Sequence, residues 1–316
     1  MDKKISYGSA IGKIILMGEH SVVYGEPAIA IPFPSAKIKT SIYKSNGDTV
    51  LNCFSYNGAL LEAPEEFSEL KSVIKKVVED LDEKLKDFNI DIKSTIPSER
   101  GMGSSAAVAA SAIRALYDYF DIRLDNNTLT SLVNFSEIIV HGNPSGIDTA
   151  IVVGEKPLYY IKGKPLEVFK FKLDAYLIVS DTGEKGMTKF AVSKVRKFIE
   201  DNPARGKELI ESLGKLSSDA KKIIKEEKII ELGKAMNNAQ NLLKELRVSN
   251  ETIDSLVRVS IDNGALGSKL TGGGLGGCVI TLCSTKKEAI SISNTLLNNG
   301  AKNTWISNMG VEEDES

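Results

Sequence analysis

Two stretches of this 316-residue chain collect small residues where a buried core would ask for bulk. At 97–108, PSERGMGSSAAV runs into a helical pattern, and LTGGGLGGCVITLC sets Gly272, Gly273, Gly274, Gly276 and Gly277 directly before an apolar strand. At a helix start the unpaired amides point outward, the macrodipole adds partial positive charge, and residues without bulk let the backbone approach an anion such as a phosphate. Ser104 and Ser105 add hydroxyls, one of which can reach a bound magnesium ion. The alternative is a Gly-rich turn with a Ser helix cap, and this segment alone does not separate the two. No lysine follows Gly103, which excludes the Walker pattern, and Gly101 and Gly103 lack the third glycine of a dinucleotide fingerprint. A nucleotide bound here must therefore find its lysine and its metal carboxylate elsewhere in the chain.

Candidates for both are present. Lys13 interrupts the apolar run IGKIIL and is followed by Gly18-Glu19-His20, which favours a site lysine over a snorkelling edge residue. Glu137 and Asp148 flank the break in SEIIVHGNPSGID, and an Asn-Pro-Ser-Gly break can turn the chain so that both carboxylates face one pocket. One carboxylate can bind metal while the other takes a proton. The two histidines, His20 and His141, each lie beside one of these segments; His20 is assigned to substrate positioning and His141 to structure. Five glycines within 272–277 carry a large conformational-entropy cost, which points to close backbone approach to a ligand or to another loop.

The elements that must position these residues follow from periodicity. Strands are expected at 10–17, 36–43 and 49–54, the last two joined as an antiparallel hairpin at Asn46-Gly47-Asp48. A helix is expected within 65–87, a strand over 89–95, a helix directly after the small residues at 104–120, and another over 126–140. Strands at 150–161 and 168–180 flank the turn KGKP, which marks the domain boundary. Helices then follow at 187–201, 205–225, 228–246, 250–262 and 286–299, with a last strand at 303–308 and a frayed acidic tail, EEDES.

Composition narrows the class. Forty basic against 42 acidic side chains leave a formal net charge of -2, so no global field recruits nucleic acid or an anionic membrane. Three cysteines without metal-ligand spacing, Cys53, Cys278 and Cys283, suit packing in a reducing cytoplasm. Neither a signal peptide nor a membrane span is read from the sequence.

Together the three segments resemble the GHMP kinase superfamily of galacto-, homoserine, mevalonate and phosphomevalonate kinases, and GKIILMGEHSVVYGEPAIAIP resembles the mevalonate kinase branch. The resemblance spans nearly the whole chain. It implies an N-terminal α/β domain (1–165) and a C-terminal ferredoxin-like α+β domain (166–316), with ATP and mevalonate in the cleft between them. Carried over by position, Arg100, Gly101, Met102, Gly103, Ser104 and Ser105 form the phosphate loop, Ser105 and Glu137 ligate Mg2+, Asp148 is the catalytic carboxylate and Lys13 its cationic partner. Glu19, His20 and Thr188 are expected around mevalonate, and Gly272 to Gly277 close the site. The loop departs from the family pattern at Glu99 and Met102, where glycine and leucine are common, which leaves the shape of its first turn open.

The expected reaction is phosphoryl transfer from ATP to the primary hydroxyl of mevalonate, in isoprenoid biosynthesis, by a cytoplasmic enzyme for which the family suggests a homodimer. A kinase of the same superfamily acting on another alcohol, such as phosphomevalonate or homoserine kinase, is the first rival. A ligand sensor that has lost catalysis is the second, and the joint presence of Lys13, Ser105, Glu137 and Asp148 argues against it.

Overall fold

The computed structural model of the chain describes residues 5–310 apart from Asn143 and the side chain of His141. The acidic tail at 312–316 and Asn143 of the Asn-Pro-Ser-Gly break lie outside the described residues, as does the environment of the His141 ring. In order, the elements are β1 (Ile5–Met17), β2 (Ala28–Asp48), β3 (Val50–Cys53), β4 (Tyr56–Ala59), α1 (Ser68–Asp80), β5 (Lys86–Ser94), α2 (Ser104–Tyr119), α3 (Asn126–His141) and α4 (Ile147–Gly154). There follow β6 (Leu158–Tyr160), β7 (Glu167–Val168), β8 (Tyr176–Asp181), α5 (Thr188–Asp201), α6 (Pro203–Lys225), α7 (Ile229–Glu245), α8 (Glu251–Asp262), β9 (Gly267–Thr271), β10 (Cys278–Cys283), α9 (Lys286–Asn298) and β11 (Asn303–Asn308). Among the described residues no helix is long and apolar enough to cross a membrane.

These elements form two compact units. The first takes the chain up to Lys13, Pro32–Pro97 and Gly103–Glu155; the second takes Ile14–Ile31, Ser98–Met102 and the chain from Lys156 onward. The units interleave along the chain, because β1 and β2 each contribute residues to both.

In the first unit, strands run in the order β4-β3-β5-β2, β1 pairs with β2, and α1 to α4 pack on one another. The predicted hairpin between 36–43 and 49–54 does not form: β5 lies between β2 and β3, antiparallel to one and parallel to the other. The buried alternation Phe88, Ile90, Ile92 suits β5 to this central slot, while Gly47 donates its amide to Asp87 Oδ1 (2.9 Å) at an irregularity of β2. Parallel pairing of β3 with β5 needs a crossover, which α1 supplies.

Helix α2 explains the alanines after the glycine loop. Ala106, Ala107, Ala109, Ala110, Ala112 and Ala115 are all buried, and a Cβ placed on Gly8 of β1 would collide with the Ser111 carbonyl and stand 2.5 Å from the Ala115 amide. Strand and helix therefore touch backbone to backbone, and Thr40 of β2 bonds Ser111 Oγ at 2.8 Å.

Two further expectations are corrected. Residues 150–154 are helical, because Ile147 and Ile151, one turn apart, are both buried in α4; a short apolar run fits a strand or a helix equally well by pattern. Of 168–180, Val168 ends β7 and 176–180 falls in β8; between them the chain is irregular, with Leu173 donating its amide to the Met309 carbonyl (2.9 Å).

The second unit is built on the antiparallel sheet β11-β8-β10-β9, in register Cys278↔Asp181 and Cys278↔Thr271, with α7, α8 and α9 packed against it. Cys278 and Cys283 are buried in this sheet, and burial pushes the Cys283 thiol up to about 12, as expected of packing cysteines. In the same unit Ala28–Ala30 of β2 pairs with β6.

Because the contact of β1 with α2 leaves no room for a side chain, Gly8→Ala is expected to cost about 2 kcal/mol by overpacking. Denaturant titration measures this as a lowered midpoint at unchanged slope.

Candidate functional site

Lys13 ends the part of β1 that belongs to the first unit, and its side chain is only 8% exposed. Its Nζ lies 3.1 Å from Asp148 Oδ1. Asp148 sits in the first turn of α4, which Gly146 opens in a left-handed conformation (φ 79), and there the helix dipole favours a carboxylate. The lysine stem runs along the loop: a Cβ on Gly103 (φ 70) would stand 2.8 Å from Lys13 Cγ. Both the left-handed backbone and the contact demand glycine at this position.

Gly103 is the N-cap of α2, and no side chain caps the helix. The Ser-cap reading of the segment is thereby excluded. Ser105 turns its hydroxyl toward carboxylates instead, with Glu137 Oε1 of α3 at 2.5 Å and Glu69 Oε1 of α1 at 3.0 Å. Ser136 Oγ also donates to Glu69 Oε1, at 2.5 Å. Burial, the largest cause, together with the nearby Asp148 and Glu69 charges, raises the Glu137 carboxyl to about 7 against the opposing hydrogen bond from Ser105 and the charge of Lys13. Lys13, Gly103, Ser105, Glu137 and Asp148 thus gather in one unit, and Glu69, which the sequence did not single out, joins them.

The first half of the loop belongs to the second unit. Glu99 (φ 57), Gly101 (φ 78) and Gly103 (φ 70) alternate as left-handed residues, which is the shape of the turn that the sequence left open. Glu99 pairs through its carboxylate with Lys185, and its carbonyl accepts from the Gly186 amide (2.7 Å). Arg100 directs its guanidinium to Asp181 Oδ1 (2.7 Å) and the Gly183 carbonyl (3.1 Å), so its side chain is engaged within this unit, while Met102 is buried.

The third glycine cluster is filled by other loops. A Cβ on Gly276 (φ 131) would strike the Lys185 carbonyl, and Gly101 and Gly272 approach backbone to backbone, with a Cβ on one 3.4–3.5 Å from the Cα of the other. Gly273 lies against Thr188, the first residue of α5, and accepts a 2.9 Å hydrogen bond at its carbonyl from His20 Nε2. A carbonyl only accepts, so His20 carries its proton on Nε2. Glu19 beside it is engaged by the Lys269 ammonium, both side chains wholly buried, and Lys269 also donates to the Leu270 carbonyl (2.7 Å). Burial lowers the Lys269 pKa against the Glu19 charge. Lys269 escaped the sequence reading, because GSKLT has one large apolar residue and lacks the apolar run that marked Lys13.

The chain contains the GHMP kinases N terminal domain at residues 70–155 and the GHMP kinases C terminal domain at 220–302. It is 33% identical to a mevalonate kinase of Pyrococcus abyssi, over 99% of this chain and 98% of that protein. Its structure resembles the mevalonate kinase of methicillin-resistant Staphylococcus aureus MRSA252, with TM-score 0.77, 33% identity, and 98% of this chain and 100% of that one covered. The fold is also that of the L. major mevalonate kinase solved with R-mevalonate, with TM-score 0.83, 24% identity, and 98% and 97% of the two chains covered. The chain belongs to the GHMP kinase family, and ATP is its co-substrate.

Burial lowers the His20 imidazole from 6.5 to about 4, against its bond to the Gly273 carbonyl and with a smaller push from Lys269. Between these values the unfolded chain binds the extra proton and the folded one does not, so the stability His20 contributes is complete above about pH 6.5 and is lost as pH falls toward 4. Wild type is expected to lose up to about 3 kcal/mol more than His20→Gln between pH 7 and pH 4, measured by denaturant titration at both.

Proposed function

We propose that this protein transfers the terminal phosphoryl group of ATP to the primary hydroxyl of mevalonate, giving 5-phosphomevalonate in the mevalonate pathway of isoprenoid biosynthesis. The observation that carries the reading is the Lys13–Asp148 pair, 3.1 Å apart, with the lysine stem lying along the glycine loop that opens α2. Its relatives of 33% identity over the full length are mevalonate kinases, which supports this choice among GHMP substrates.

Phosphoryl transfer asks for in-line placement and for neutralising the charge on the transferred oxygens. The amides of the first turn of α2, with no side chain capping them, and the loop from Arg100 to Ser105 receive the phosphates. Asp148 accepts the proton of the substrate hydroxyl, and Lys13 stands beside it to offset charge on the reacting oxygens. Ser105 and Glu137 present hard oxygen donors 2.5 Å apart beside the loop, a set that suits Mg2+, which takes one or two protein oxygens and completes its shell with phosphate and water. When bound, Mg2+ neutralises phosphate charge. Glu19, held by Lys269, and His20, held by Gly273, fix the turn after β1 that, with Thr188, receives mevalonate. Residues 1–165 then supply the phosphate loop and the catalytic pair, and 166–316 the third glycine segment. Three thiols with no disulfide among them suit work in the cytoplasm.

The test is ADP release with Mg2+ and a panel of alcohols: mevalonate, phosphomevalonate and homoserine. Mevalonate is expected to give the highest kcat/KM, and Asp148→Ala to lower turnover with it by about a hundredfold or more. Preference for another alcohol overturns the substrate assignment, and near-normal turnover of Asp148→Ala overturns the role of the aspartate.

A further inference from the structure

Ser105 has one hydroxyl hydrogen and two carboxylate oxygens within reach of it, Glu137 Oε1 at 2.5 Å and Glu69 Oε1 at 3.0 Å. An alcohol that ligates a cation offers a lone pair and turns its hydrogen away, and the carboxylate that shares the cation is a poor destination for that hydrogen. Some other acceptor must take it. Glu69 already stands there, in the first turn of α1, and is the acceptor of a second hydroxyl, that of the wholly buried Ser136, at 2.5 Å. Its Oε1 therefore joins three helices at one point: its own, α2 through Ser105 and α3 through Ser136, the residue before Glu137.

We infer that Glu69 is a positioning residue for the metal: it receives the Ser105 hydrogen, leaves the Ser105 oxygen's lone pairs to Mg2+, and through Ser136 fixes the backbone that carries Glu137. The inference rests on the reading of Ser105 and Glu137 as the metal's protein ligands. Glu69 acts through them and is not itself a ligand; among the described residues no three His, Cys, Asp or Glu side chains are clustered to hold an ion. Partners that orient a ligand commonly govern metal affinity 10- to 100-fold.

The experiment measures the Kd of a non-hydrolysable ATP analogue by calorimetry, with Mg2+ and again in EDTA, so that the ratio reports the metal and not turnover. Glu69→Met, which keeps bulk and removes the acceptor, is expected to lose about 10- to 100-fold of the Mg2+-dependent tightening with its EDTA value unchanged. Glu69→Gln retains an accepting oxygen and is expected to restore most of it. Glu69→Asp keeps the charge one methylene further back and decides the matter if Glu69→Met does not fold; it is expected to lose about tenfold. A full Mg2+ effect in these acceptor-poor variants overturns the inference, as does an equal loss with and without Mg2+ accompanied by a lower melting temperature, the signature of a helix clasp. Ser105→Ala and Glu137→Gln are measured beside them. If those two keep the Mg2+ effect, the underlying ligand reading has failed; if they lose it while the Glu69 variants do not, only the role of Glu69 has.

Discussion

A lysine ammonium inside an apolar strand is the constraint around which the first unit is arranged. Moving such a charge out of water costs several kcal/mol unless a well-placed counter-ion and hydrogen bonds offset it. Asp148 is that counter-ion, and it can be because the chain breaks after α3 and restarts as α4 with the aspartate in its first turn. The lysine stem needs a groove, and Gly103 provides it by having no side chain. Strand β1 must approach α2 closely, and Gly8 on one side with the alanines on the other make that approach feasible.

The second unit repeats the device. Lys269 is wholly buried in β9 and holds Glu19, whose neighbour His20 is kept neutral by burial and donates to Gly273. Arg100 and Asp181 do the same near the surface of the glycine loop, tying its first residues to the turn that leads into Thr188. Glycines that read as a phosphate cradle are thus also packing residues: 98–102, 182–188 and 272–277 run against one another with no room for side chains at Gly273 and Gly276.

Helices α1 and α2 were legible because each has a local cause. Leu70, Val73, Ile74 and Val77 fix α1 by their spacing, and Gly103 followed by two serines marks the start of α2. What was illegible depends on partners distant in sequence. Nothing near Asn46-Gly47-Asp48 says that β5 will enter between the two strands it separates, and the run after Asp148 is too short for its period to distinguish helix from strand. Glu69 looks like an ordinary first-turn acid until α3 brings Ser136 to it, and Lys269 is identified as special only once Glu19, 250 residues away, is its partner.

The central claim is that Lys13 and Asp148 act on the reacting hydroxyl as one unit. A double-mutant cycle in kcat/KM for ATP-dependent phosphorylation of mevalonate, using Lys13→Met, Asp148→Asn and the pair together, tests it most directly. Interdependent residues predict that the double variant is about as impaired as the worse single one; losses that multiply in full would show two independent groups and contradict the account.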